Sequence, residues 1–199
     1  MRKIIVSEFI SLDGVIQAPG GAEEDTDGGF AHGGWTFPYW HDDIGLHFDA
    51  AMRESDALLL GRKTWQIHGG AFEPMEPGDP FGDVMNAMPK YVVSTTLADA
   101  SAWRNSTLIK ENPIEQIRAL KAQPGKNILI DGSSVLVQSL VQHDLIDEYH
   151  LLVYPVVLGS GKKIFPEGKR VNLRLINATP IPSGVTLLHY APEHADRNQ

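Results

Sequence analysis

Apolar positions along the chain fall into two rhythms. Short unbroken or β-branched runs occur at Ile4–Ile10, Ala57–Leu60, Tyr91–Val93, Thr107–Lys110, Ile128–Ile130 and Tyr149–Val157, and each reads as a strand. Between them lie stretches with apolar residues three and four apart. Ile44–Glu54 predicts a helix with Leu46, Phe48 and Met52 among its apolar positions. Pro113–Ala122 predicts another, with proline near its first turn and Ile114, Ile117 and Leu120 facing inward. After Ile130 the chain turns at Asp131-Gly132, and Ser133 or Ser134 is expected to cap a third helix. That helix carries the pairs Leu136/Leu140 and Val137/Val141, each four apart, and ends near Asp144. Strand, glycine turn, helix and strand make one βαβ unit, so the sheet is at least partly parallel. Val171–Ala178 and Val185–Tyr190, joined through Pro180–Gly184, read as a late hairpin. The alternation argues for one α/β domain over residues 1–191, with a polar tail over 192–199.

Two stretches follow neither rhythm. Gln17–Trp40 is rich in glycine, proline and acids, then gathers Phe30, Trp35, Phe37, Tyr39 and Trp40. Aromatic side chains are costly to leave in water, so this loop should fold over something. Gly29–Trp40 is expected to cover a substrate, with Trp35 and Trp40 on the substrate side; the alternative packs the loop on the protein's own core. His68–Pro89 reads as a second loop rich in glycine, proline and acids, following a short helix that starts at Gly61-Arg62-Lys63-Thr64-Trp65.

Composition narrows the function. At 199 residues and 21.9 kDa the chain can bury a real core. No apolar run reaches the roughly 20 residues that span a bilayer, and MRKIIVSEFI is too short and too interrupted by Glu8 for a signal segment. Neither a membrane nor a secretory role is therefore expected. The absence of cysteine excludes disulfides and thiolate metal sites and fits a cytoplasmic protein. A net charge of −8 argues against broad nucleic-acid binding. His32, His41, His47 and His68 match no ligand spacing, so no metal is expected. Asp147-Glu148 reads as a structural pair at a strand start, and no G-x-S-x-G elbow is present.

What remains is a set of polar strand ends: Gly61–Thr64, Ser94–Thr96 and Gly132–Ser134. In an open α/β sheet, ligands bind at the carboxyl ends of strands. Helix starts favour anions there. Arg62 and Lys63 place two cations at such a start, against the helix dipole, and a bound anion would remove the conflict. No G-x-G-x-x-G follows a strand. Gly159-Ser160-Gly161-Lys162-Lys163 fails the P-loop pattern, with Val156 in place of its first glycine and Lys163 in place of Ser/Thr.

These pieces, with Ser11-Leu12-Asp13-Gly14, Leu145–Tyr149 and Pro155–Lys162, run in an order that resembles the dihydrofolate-reductase-like superfamily. Within it, the chain is similar to the reductase domain of the bifunctional riboflavin-biosynthesis deaminase–reductase. The resemblance implies a three-layer α/β/α sandwich around a mixed sheet, NADPH as hydride donor, a small-molecule substrate and a homodimer. For the dimer, Tyr149–Leu158 offers an apolar strand near a sheet edge. By position, Gly61 begins the first phosphate turn, Arg62 meets the ribose phosphate, and Lys63 and Thr64 face the pyrophosphate. Ser94 and Thr95 match the adenosine side, Gly132, Ser133 and Ser134 the second pyrophosphate turn, and Ile16 the nicotinamide edge. The acidic residue that binds pteridine in dihydrofolate reductases would fall near Gly45, with Asp42, Asp43 and Asp49 out of register, so folate is not the expected substrate. Asp131 replaces the usual second glycine of its turn. The expected reaction is NADPH-dependent reduction of a ribosylamine, imine or carbonyl compound, similar to 5-amino-6-(5-phosphoribosylamino)uracil reduction. Asp13 is the expected catalytic residue, with Glu8 or a loop histidine as other proton donors. A flavin- or deazaflavin-linked reductase and a nucleotide-binding protein without turnover are the alternatives.

Overall fold

In the computed structural model, residues 1–193 are described. Eight strands and five α-helices follow one another as β1 (Ile4–Ser11), α1 (Asp42–Arg53), β2 (Ser55–Gly61), α2 (Arg62–Phe72), α3 (Pro80–Ala87), β3 (Lys90–Val93), β4 (Ser106–Ile109), α4 (Pro113–Ala122), β5 (Asn127–Ile130), α5 (Ser134–Gln142), β6 (Glu148–Tyr154), β7 (Leu173–Pro180) and β8 (Thr186–Pro192). They form one sheet in the order β4-β3-β2-β5-β1-β6-β8-β7. The first six strands are mutually parallel, and the β7–β8 hairpin adds antiparallel to β6.

Strand alternation builds the layers. On β5, Ile128 and Ile130 join one core with α4 and α5, while Leu129 between them joins another with α2 and α3. The α5 residues Leu136, Val137, Leu140 and Val141 are all buried, as their spacing requires. The result is the expected three-layer α/β/α sandwich around a mixed sheet.

Four expectations change. A helix, α3, lies inside the stretch read as a loop. Asp79 caps it by accepting the Phe81 and Gly82 N–H groups, and Pro80 occupies its start. Leu46 is 64% exposed, and α1 buries Ile44 and Ala51 along with the expected Met52. The strand β6 is interior, between β1 and β8, so it offers no edge for a dimer; the outer strand on that side is β7, where Leu175 and Ile176 are about half exposed. Finally, β8 reaches Pro192 and the Glu193 N–H donates to the Asn172 carbonyl at 2.8 Å, inside the span read as tail. Residues 194–199 of that tail lie outside the described residues. Among the described residues no helix is long and apolar enough to cross a membrane.

Candidate active site

A cavity of about 780 Å³ opens at the carboxyl ends of β1, β2, β3 and β5. This is where the strand order departs from the chain order, and α/β sheets open a crevice at such points. Two glycine turns form its floor, and they interlock. The Ser133 hydroxyl accepts the Gly61 N–H at 2.7 Å and donates to Thr64 Oγ1 at 2.8 Å. A Cβ on Gly132, whose φ is +94°, would lie 2.7 Å from Thr64 Cγ2; one on Gly61 would lie 2.9 Å from Ser133 Oγ. Only glycine allows both turns to approach so closely. Ser133 precedes α5 but does not cap it with its side chain, because its hydroxyl is engaged by the neighbouring turn. The glycine N–H groups are likewise taken, that of Gly132 by Glu8 Oε1 at 2.8 Å. The N–H groups left for an anion are those of the first turns of α2 and α5, which have no intrahelical partner.

The rim is charged. Arg62 lines the cavity, is exposed, and forms no ion pair among the described residues. Lys63 instead contacts Asp25 and Asp27 at 2.6 Å, and Lys162 contacts the same two carboxylates at 2.6 and 2.7 Å. This quartet ties the loop after β1 to α2. Lys162 and then Lys63 hold the Asp27 carboxyl down at about 2.

Deeper, three carboxyls face the cavity with few partners. Burial pushes Glu8 well above the usual range, the nearby Asp131 adds to the shift, and the Gly132 N–H opposes it. Burial also raises Asp131, against the pull of His68, and Glu24, against the Gly20 N–H. His68 lines the same wall, and its Nδ1 has no partner among the described residues. The protonated form of Glu8 is thus favoured beside an apolar stretch that includes Ile16 and Phe9. That combination is typical of a group that donates a proton.

The family model described as RibD C-terminal domain matches residues 2–187. The chain belongs to the RibD C-terminal domain family. A relative, the uncharacterised YyaP of Bacillus subtilis (strain 168), is 29% identical over 193 residues, 95% of this chain and 94% of that protein. Among solved structures, a putative riboflavin biosynthesis protein from Shewanella sp. PV-4 superposes with a TM-score of 0.74 at 23% identity, covering 96% of this chain and 99% of the other. A dihydrofolate reductase from Enterococcus faecalis, complexed with NADP(H), gives a TM-score of 0.60 at 16% identity, with 96% and 97% covered.

Within this RibD C-terminal domain, the structure brings Ile16, Gly61, Arg62, Lys63, Thr64, Ser94, Thr95, Gly132, Ser133 and Ser134 to one cavity. Trp40 joins them, 58% exposed. Trp35 does not. It is 7% exposed, donates its indole N–H to the Gln17 carbonyl at 2.8 Å, and packs edge-on against Tyr154. Phe30, Trp35 and, in part, Tyr39 therefore pack on the protein's own core, Phe37 is exposed, and Trp40 with the acidic half of the loop lines the cavity. Asp13 is also elsewhere: its carboxylate accepts from the Ser11 hydroxyl and the Leu158 and Gly159 N–H groups, which hold it down at about 2. It stabilises a turn in ionised form and has no proton to give near neutrality. Asp147 is structural too, accepting the Ile4 N–H and pairing with Lys121. Glu24 and Lys162 reach the cavity on loops and His68 on α2, and no local motif marks Glu24 or His68 as cavity residues.

Proposed function

We propose that this RibD C-terminal domain is an NADPH-dependent reductase of a small ribosylamine, imine or carbonyl substrate, of the 5-amino-6-(5-phosphoribosylamino)uracil reductase type. The observation that carries the reading is the pairing, in one cavity, of interlocked glycine turns beside Arg62 with a buried, proton-retaining Glu8. The residues fit the cofactor. Gly61 and Gly132 let the two turns close on each other, the first-turn N–H groups of α2 and α5 are left for an anion, and Arg62 has no competing carboxylate among the described residues. Arg62 would hold the ribose 2′-phosphate, the two turns the pyrophosphate, Ser94 and Thr95 the adenosine side, and Ile16 the nicotinamide edge. When bound, NADPH supplies a hydride. Glu8 then gives a proton to the substrate heteroatom that gains negative charge, a role its raised affinity for protons suits. Its Gly132 hydrogen bond fixes the carboxyl while it does so. The apolar wall and Trp40 keep water from the reacting atoms.

Fluorescence titration of NADPH, NADH and FMN into wild type and Arg62→Ala tests this. Wild type should prefer NADPH. Arg62→Ala should weaken NADPH by roughly 1–3 kcal/mol, the range for a lost charge-assisted contact, and leave NADH nearly unchanged. Equal weakening of both would make Arg62 a support of its turn. Absence of nicotinamide binding by the wild type would overturn the reading, and preferential FMN binding would replace it with a flavin-linked one.

A further inference from the structure

On the α1 side of the sheet, outside the cavity, three histidines far apart in sequence meet. His150 on β6 lies in register with Ser7 on β1 and with His189 on β8, so the three side chains form a row across the sheet. His47 comes down from α1 onto that row, its Nε2 3.3 Å from Ser7 Oγ. The His150 and His189 rings stack with centroids 4.0 Å apart, and the His47 ring lies 5.6 and 5.8 Å from them. One ring nitrogen from each residue lies within 4.8 Å of the other two. His150 Nδ1 and His189 Nε2 are buried and have no hydrogen-bond partner among the described residues.

We propose that His47, His150 and His189 form a binding site for a divalent transition-metal ion of the zinc class. Two buried nitrogens without partners in one cluster are costly, each by the desolvation of a polar group, and one shared ion would satisfy both. Imidazole ligands suit zinc, copper, nickel or iron and not magnesium or calcium, which take oxygen. A zinc ion sits about 2.0–2.1 Å from each nitrogen, which draws tetrahedral ligands to roughly 3.3–3.5 Å apart. The His150 and His189 rings lie nearly parallel, so His189 as well as His47, both only partly buried, would turn its ring to close the site on the ion. The outer shell is present as well. His150 presents its other nitrogen, Nε2, to Glu148 Oε2 at 3.2 Å, and Glu148 is held in turn by Lys3 at 2.6 Å. A carboxylate behind a ligating histidine fixes its ring and raises its basicity. Three protein ligands leave one coordination position for water or an exogenous group. None of the three histidines lines the cavity, but His47 adjoins Phe48, whose ring closes the cavity wall against Phe9 at 5.0 Å. Ion binding would therefore stiffen that wall without touching the nucleotide.

Tag-free protein, stripped with chelator, would be titrated with Co²⁺ while visible d–d absorption is followed. Zn²⁺ would then be used to displace it, and melting would be measured with and without Zn²⁺. The expected result is one ion per chain, Co²⁺ bands quenched by Zn²⁺, and a higher melting temperature with Zn²⁺. Glu148→Gln should weaken binding about 10–100-fold, as loss of an outer-shell partner does. His47→Ala, a change at a partly exposed helix position that leaves the sheet intact, should weaken it further, and His189→Ala likewise. No spectrum and no thermal shift, or unchanged affinity in His47→Ala and His189→Ala, would overturn the site. The measurement needs no nucleotide, so it stands apart from the reductase reading.

Discussion

Lys90 and Glu8 are both ionisable and both shut away from water, on opposite faces of the sheet. Lys90 is 0% exposed and Glu8 5%. The lysine is fully partnered: its ammonium donates to the Met85, Asn86 and Met88 carbonyls at 2.6, 3.2 and 2.8 Å and lies 4.4 Å from the centre of the Trp103 ring. Those carbonyls include the last of α3, which have no partner inside the helix. Desolvation lowers Lys90 to about 8, which still leaves it charged at neutral pH. Glu8 has one hydrogen bond among the described residues, and its closest ionisable neighbours are acids. A saturated buried charge holds a fold together. An under-partnered one keeps its proton and can donate it.

Replacing Glu8 with glutamine is the strongest way to break this contrast. Turnover should fall about 10²–10⁴-fold, the usual contribution of a positioned acid. Wild-type activity should decline as pH rises through the raised Glu8 value, because the acid form is lost, and a steady-state pH profile of the variant should lack that limb. Stability follows the same sign. Folding retains the Glu8 proton, so its contribution is complete below the ordinary 4.5 and is lost as pH rises through the folded-state value. Glu8→Gln should flatten that loss in urea unfolding at stepped pH. Activity within a factor of two of wild type would move the proton donor elsewhere.

Next comes an aromatic version of the contrast. Trp35→Ala should cost roughly 3–5 kcal/mol by chemical denaturation, as a buried, hydrogen-bonded tryptophan does. Trp40→Ala should stay within about 0.5 kcal/mol of wild type and raise KM instead. If the costs are reversed, the loop covers the substrate with its other half. A smaller loss, roughly 2–4 kcal/mol, is expected for Lys90→Met, which refills the volume and leaves three carbonyls without their cation. Its nucleotide affinity should match wild type; a loss there would show that Lys90 is coupled to the cavity across the sheet.

The layers were legible because strand alternation and helix spacing write burial directly into sequence. Strand β5 illustrates this, where Ile128, Leu129 and Ile130 divide between two cores. The turns that line the cavity were legible for a related reason, since glycine and hydroxyl residues follow apolar runs at strand ends. The helix α3 was hidden because its eight residues include Pro80 and Gly82 and lie between Pro77-Gly78 and Pro89, which looks like a loop, although Asp79-Pro80 is a helix-start signal. Trp35, expected on the substrate side, packs on the core instead, because aromatic content says that a residue will be covered and not by what. Glu8 showed as an acid interrupting an apolar strand and as one of several candidate proton donors, and nothing in the sequence ranked it above Asp13. The three histidines left no trace as a group: residues 47, 150 and 189 become neighbours only through strand register and the seating of α1.

The Ser133 hydroxyl has a last consequence, for anyone wishing to re-engineer cofactor choice. By accepting from Gly61 and donating to Thr64, it fastens two loops that are 72 and 69 positions away in the chain into one machined part. Neither loop can be re-cut alone. A library that varies the 61–64 turn while holding 132–134 constant samples mostly misfits, and the gains of separately selected changes will not add when combined. The two turns have to be redesigned as a single component.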